Sequence, residues 1–367
     1  MGLFPYQKIL INEISSNTTT PIDPAVIPIS PDNPKVSIIT SVFNGRQYLE
    51  EYERYVESQS FQDYELIMVV DTRSDDGTLE EVRRYCSVND KARCLLQEGP
   101  GRLGGSKNIG MDDARGDYLW FLDVDDAPSL DFLARMVEAK ESTGSDVAIC
   151  NFVYVDERVP PTEERGDVIV MSGKTALHAR SLNLVPVTSW SMLYDREHQR
   201  EIGLRFREMM SEDIAFTYIY LDLSERVCFI TEPLYGYVIH RNSFCANRMD
   251  ERGYTELDSY NYLSEYFPKS DTYLQSRMCA IVLRSLVHMT PKGLKKAIRD
   301  PTLEANVMRY LGFSGRLEYR LARIFPTVYQ WGGSWYIRRF YHRIGNVYVD
   351  ASKMRTLRSV VESEADD

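Results

Sequence analysis

Three carboxylates, Asp123, Asp125 and Asp126, close the segment GRLGGSKNIGMDDARGDYLWFLDVDD that runs from Gly101 to Asp126. They follow a nearly continuous apolar run, Asp117 to Leu122, of the kind that forms a central strand covered on both faces. Open α/β sheets bind ligands at the carboxyl ends of such strands. Hard cations favour oxygen donors, and Mg²⁺ takes one or two carboxylates together with substrate phosphates. An Asp-x-Asp in this place fits a metal held against a diphosphate. Standing alone it would more readily be a solvated acidic turn capping the next helix, so the neighbouring motifs decide.

Two further groups bring chemistry within reach. Arg102 and Lys107 flank a glycine-rich turn entering an amphipathic helix. Backbone approaches closely at such a turn and the helix N-terminus favours an anion, with surface solvation the alternative for both cations. Asn108 suits a cap or a cross-link of that loop. Glu212-Asp213, within SEDIAF, stands where a helix begins. Paired acids there either supply a general base or stabilise the helix N-terminus.

Alternating strands and helices must position these groups. Residues 35–40, 64–71, 92–97 and 146–155 read as strands beside the Asp-tipped one, and helices are predicted over 46–60, 78–88, 104–114 and 129–143. Thr78 and Glu81 have capping-box spacing. This order predicts an α/β fold with a mostly parallel sheet between helix layers. Residues 1–34, rich in Pro, Thr and Ser, read as an extended arm, 35–250 as the sheet domain, 251–346 as a helical extension and 347–367 as a polar tail.

The 367 residues are 43% hydrophobic and 26% charged with formal charge −11, a globular composition that disfavours general nucleic-acid binding. The six cysteines show no CxxC and suit small buried hydrophobes in a reducing compartment. No apolar run approaches the roughly 18–20 residues needed to cross a bilayer, and no signal-peptide core opens the chain, so a cytoplasmic protein is expected.

Five motifs then occur in one order: VSIITSVFNG (Val36–Gly45), VVDTRSDDGT (Val69–Thr78), GGSKNIG (Gly104–Gly110), FLDVDD (Phe121–Asp126) and SEDIAF (Ser211–Phe216). In order and spacing they resemble family 2 glycosyltransferases over about residues 35–245. The resemblance implies a GT-A fold, a nucleotide-diphospho-sugar donor with Mn²⁺ or Mg²⁺, and inversion at the anomeric centre. It implies that Asp125 ligates the metal, that Asp123 contacts ribose or the metal through water, and that Asp71 accepts the uracil imide hydrogen. The loop Ser41 to Asn44 would bring backbone and the Phe43 ring to the nucleobase, unless Phe43 is a core residue. Arg102 and Lys107 would hold the diphosphate, Asp213 would be the base and Glu212 would orient the acceptor.

The chain departs from the family pattern at Thr72, where a second Asp is usual, and at Arg73, where Gly is usual. Lys107 replaces a more common Arg, and Met192 an expected Lys. Trp190 suits a sugar-stacking platform or a core position. His240, in a closing strand and loop, suits a metal or phosphate contact or a structural role. The expected activity is metal-dependent transfer from a UDP-sugar to a hydroxyl of a glycan or lipid-linked glycan. The alternatives are a non-catalytic binding protein on the same fold and a sugar nucleotidyltransferase. The latter expects a glycine-rich, Arg-containing loop after the first strand, where this chain has SVFNGRQY.

Residues 316–343 hold six arginines against one acid, Glu318, interleaved with Trp331, Trp335, Tyr336, Phe340 and Tyr341. Leu317, Leu321, Ile324 and Phe325 fall on one helical face. That combination suits peripheral contact with an anionic bilayer surface, and a helical cap packed on the sheet is the alternative.

Overall fold

The computed structural model describes residues 33–99, 103–158, 160–161, 165–186, 188–209, 211–239, 254–286, 291–329 and 347–365. Residues 1–32 of the expected N-terminal arm, Arg102, His240 and the aromatics from Trp331 to Tyr341 lie outside these residues.

A nine-stranded sheet organises the chain: β1 (Val36–Val42), β2 (Tyr64–Asp71), β3 (Ala92–Gln97), β4 (Tyr118–Phe121), β5 (Ala127–Pro128), β6 (Val147–Val155), β7 (Val168–Ser172), β8 (Met192–Asp195) and β9 (Arg226–Val238). Their order is β3-β2-β1-β4-β8-β6-β9-β5, with β7 also on β9. The first four strands are parallel, as the helix–strand alternation requires. Beyond β4 the pairing becomes mixed, because β8 runs antiparallel between β4 and β6.

Period-two alternation divides the sheet's side chains between two cores. Val36, Ile38, Leu66, Met68, Val70 and Trp120 face one layer, while Ile39, Ile67, Val69, Leu119 and Phe121 face the other. The second core continues into the later helices through Leu257, Leu263, Val282, Leu303 and Tyr319. It also reaches the segment expected as a polar tail. There Val349 and Leu357 are buried, Asn151 bonds the Val349 backbone, and Ala351–Ala365 is a helix.

A buried ionic network pins the amino ends of the parallel strands. Glu65 accepts the Ser37 hydroxyl (2.5 Å), the Arg93 guanidinium (2.5 Å) and the Arg115 N–H (2.7 Å). That end is thereby closed, and the opposite end is left for loops.

Helix Leu103–Asp113 is not amphipathic. Ser106, Lys107 and Asn108 are buried along with its glycines. The reason is close packing on both sides: a Cβ on Gly110 would lie 2.3 Å from Ile39 Cγ2, and one on Gly104 2.3 Å from the Arg207 carbonyl oxygen. These glycines admit protein rather than phosphate. The capping box at Thr78 is also absent. Gly77 precedes the helix at φ 85°, and the Asp76 carboxylate accepts the Thr78 N–H at 3.0 Å.

Candidate functional site

β1 and β4 are adjacent, yet the chain passes through β2 and β3 between them, so their carboxyl ends meet at a topological switch point. On one side of it, Phe43 stands 58% exposed and is no core residue. The Ser41 hydroxyl is buried without a hydrogen-bond partner. Asp71 ends β2, and Arg73 folds back onto it. Oδ1 accepts the Arg73 N–H and Nε, both at 2.9 Å, and Oδ2 accepts Nη2 at 2.5 Å. These bonds, opposed by partial burial, hold the Asp71 carboxyl below its ordinary range. The Arg73 guanidinium carbon also lies 5.7 Å from the Phe43 ring centre.

Thr72 turns away, giving its hydroxyl to the Gln97 carbonyl at 3.2 Å. Asn44, at φ 47°, stitches the β1 and β2 loops together: its N–H reaches Ser74 Oγ (3.2 Å) and its side chain accepts the Asp75 N–H (3.0 Å). Short polar Asn tolerates that left-handed backbone.

The acidic loop follows β4. Asp126 is buried, and its carboxylate accepts the Tyr235 hydroxyl (2.8 Å) and the Val238 N–H (2.9 Å). Burial and the charges of Asp125 and Asp123 push it well above the usual range. Asp126 therefore anchors the loop to β9. Asp123 and Asp125 are half-buried. Burial pushes Asp123 up to about 6, with Lys107 opposing and Asp125 and Glu212 adding to the rise.

Among the described residues no three His, Cys, Asp or Glu side chains converge as a complete metal site. The chemistry of Asp123 and Asp125 still fits a hard divalent cation, which needs only one or two carboxylates when phosphate oxygens complete its shell. A bound cation would offset the part of the Asp123 rise that comes from the Asp125 and Glu212 charges.

Lys107 does not reach solvent. It is buried beneath this loop, where Nζ donates to Glu212 Oε1 (2.7 Å) and Ser189 Oγ (2.9 Å). Burial works against its charge, yet Glu212, Asp123 and Asp213 outweigh that and raise its pKa. Glu212 and Asp213 open helix Glu212–Leu223, preceded by Ser211 at φ 50°. Non-glycine residues rarely adopt that conformation, and such strain gathers at functional sites. Asp213 is half-buried, and burial together with Glu212 pushes it up to about 7 against the pull of Lys107.

Asn108 cross-links as expected, giving Nδ2 to the Phe206 carbonyl (2.7 Å) and accepting the Phe206 N–H (2.9 Å). Trp190 is a core residue, stacked 4.2 Å from Tyr235. The fold thus gathers Asp123, Asp125, Lys107, Glu212 and Asp213, with Ser41, Phe43 and Asp71 beside them on the β1–β2 side. Ser189, Tyr235 and Arg158 also belong to this neighbourhood. Ser189 and Tyr235 lie in the segments that carry Trp190 and lead to His240, whereas no local motif marks Arg158, which arrives through long-range topology.

The family model Glycosyl transferase family 2 matches residues 37–203, from the first strand through the region of Lys107, the acidic loop and Ser189. Residues 37–203 are a family 2 glycosyltransferase domain. EpsH and EpsJ of Bacillus subtilis, both named as glycosyltransferases, are each 26% identical to the chain. EpsH matches over 68% of this chain and 77% of its own length, and EpsJ over 86% and 97%. Staphylococcus aureus TarS shares the fold, with a TM-score of 0.52 at 17% identity over 79% of this chain and 90% of TarS residues 1–349. The chain is a glycosyltransferase with a GT-A fold. None of the glycosyltransferase's described helices is long and apolar enough to cross a membrane.

Proposed function

We propose that this glycosyltransferase moves a sugar from a UDP-sugar to a hydroxyl of a glycan or lipid-linked glycan, with inversion, and that Asp213 is the base. The placement of Asp213 carries the proposal. It opens a helix beside the acidic loop, and its carboxyl is raised to about 7, near the value at which a carboxylate is basic yet still ionised at neutral pH. In the transfer, the acceptor oxygen bonds to C1 as its proton passes to the Asp213 carboxylate. The bond from C1 to the diphosphate oxygen breaks on the opposite face, and its electron pair leaves with UDP. Lys107 and Glu212 hold the first turn in register from below.

Phe43 and Asp71 would receive the base, the Phe43 ring by stacking and the Asp71 carboxylate by accepting an imide N–H. Asp123 and Asp125 would hold Mn²⁺ or Mg²⁺, which when bound offsets the charge of the departing diphosphate. TarS, described in complex with UDP and UDP-GlcNAc, supports the uridine donor. A Campylobacter jejuni relative named as a glucosyltransferase on an undecaprenol-diphosphate-linked glycan supports the acceptor class, at 36% identity over 97 residues, 25% of this chain and 30% of that one.

Helix Phe313–Ile324 supports membrane proximity. Phe313, Leu317, Leu321 and Ile324 form an exposed stripe opposite the buried Tyr319 and Ala322, with Arg316, Arg320 and Arg323 along one edge. Release of UDP from UDP-sugars in the presence of Mn²⁺ tests the central reading. Slow hydrolysis is expected from the wild type, reduced at least ~100-fold in Asp213→Asn. Equal rates in the two proteins would remove Asp213 as the base.

A further inference from the structure

Arg158 follows β6, and its side chain is only 11% exposed. Its Nη2 donates to the backbone carbonyls of Val124 (2.9 Å) and Asp126 (3.3 Å), the residues on either side of Asp125. Its Nη1 donates to the Tyr48 carbonyl at 3.0 Å and lies 3.1 Å from Glu51 Oε2. The guanidinium carbon sits 5.6 Å and 5.5 Å from the ring centres of Tyr48 and Tyr55. The Tyr55 hydroxyl donates in turn to the Arg158 carbonyl. One side chain therefore joins helix Arg46–Glu57, the acidic loop and the segment after β6.

The choice of partners matters. Three carboxylates in four residues repel one another and tend to open the loop that carries them. Arg158 counters that tendency by gripping carbonyl oxygens on both sides of Asp125, and its charge is met by Glu51 on the helix. A planar fork spreads its donors in a fixed geometry, so it spans carbonyls on two separate segments, whereas lysine concentrates its donors on one nitrogen at the end of a flexible stem.

We infer that Arg158 is a positioning residue of the acidic loop, fixing the backbone on either side of Asp125 in the arrangement that presents the Asp123 and Asp125 carboxylates to a metal and a diphosphate. This rests on the proposed role of those two carboxylates. Partners that orient metal-ligating side chains typically cost 10–100-fold in metal affinity when replaced.

The test is calorimetric titration of UDP into the full chain with Mn²⁺ or with EDTA, for wild type, Arg158→Lys, Arg158→Ala and Asp125→Ala, with melting temperatures alongside. Arg158→Lys should lose about 10-fold or more of the Mn²⁺-dependent UDP affinity. Its UDP binding in EDTA should match wild type and its melting temperature should stay close, which a merely structural role would not produce. Arg158→Ala should lose at least as much; if it fails to fold, the lysine variant carries the test. Mn²⁺-dependent binding within twofold of wild type in Arg158→Lys, with Asp125→Ala impaired, overturns the inference. If Asp125→Ala also binds normally, the metal-site reading itself falls and the inference with it.

Discussion

Lys107 Nζ lies 2.7 Å from Glu212 Oε1, joining the helix that precedes β4 to the first turn of the helix that carries Asp213. Both side chains are buried, so neither charge has water as an alternative partner. The pair ties together the two acidic groups of the site, because Lys107 opposes the rise of both Asp123 and Asp213.

That relationship sets the pH dependence. With Asp213 as base and its carboxyl at about 7, kcat/KM should fall as pH drops through about 7. Glu212 raises Asp213, so Glu212→Gln should move the acid midpoint down. Lys107 lowers it, so Lys107→Met should move the midpoint up. Breaking a buried pair costs about 3–5 kcal/mol, so the methionine variant is measured at low temperature. Profiles of kcat/KM against pH decide; midpoints that stay fixed in both variants would separate the pair from the base.

Stability should move in the opposite sense. Acids raised in the folded state contribute stability below their unfolded values and lose it as pH rises through their folded values. For Asp123 and Asp213 that loss spans roughly pH 4 to 7. Asp213→Asn should therefore melt higher than wild type at pH 8, with the difference shrinking toward pH 5. Thermal melts of the two proteins across that range read it directly, and the difference isolates Asp213 from groups such as Asp71 that shift the other way.

Arg73 occupies both groups proposed to receive the base. Its fork fills the Asp71 carboxylate, and it leans on Phe43. Arg73→Ala should tighten UDP by a few-fold, the scale on which an exposed ion pair is broken. Asp71→Ala should weaken it. Calorimetry on both variants checks the pair, and weaker binding in Arg73→Ala would make Arg73 a contact rather than a competitor.

The exposed stripe on helix Phe313–Ile324 should bind lipid. Cosedimentation with vesicles containing anionic lipid is expected for wild type, diminished by Leu317→Asp with Leu321→Asp and by raised salt. No cosedimentation of the full chain would leave that face to another partner.

What was legible in the sequence was local. β2 and helix Thr78–Val88 fall where the apolar runs and their polar ends put them, and the acidic loop ends a buried strand as its pattern requires. Lys107 was not legible as a buried residue, because its partner is 105 positions away. Nor was the close packing of Gly104 and Gly110, which depends on Arg207 and Ile39. β5 has two residues, and β8 pairs antiparallel through contacts far along the chain, so periodicity had little to register. Helix Ala351–Ala365 reads as polar because it buries few residues, Leu357 among them, against a core built elsewhere.

The most direct test of the donor site is a thermal-shift titration with UDP and Mn²⁺, against UDP with EDTA, on wild type and Asp125→Ala. A ligand at 100 times its Kd stabilises by about 2.7 kcal/mol, a readily measured change in Tm. Stabilisation of wild type that requires Mn²⁺ and is lost in Asp125→Ala is the expected result. Equal shifts in both proteins, or none in either, would contradict a metal–diphosphate site at the end of β4.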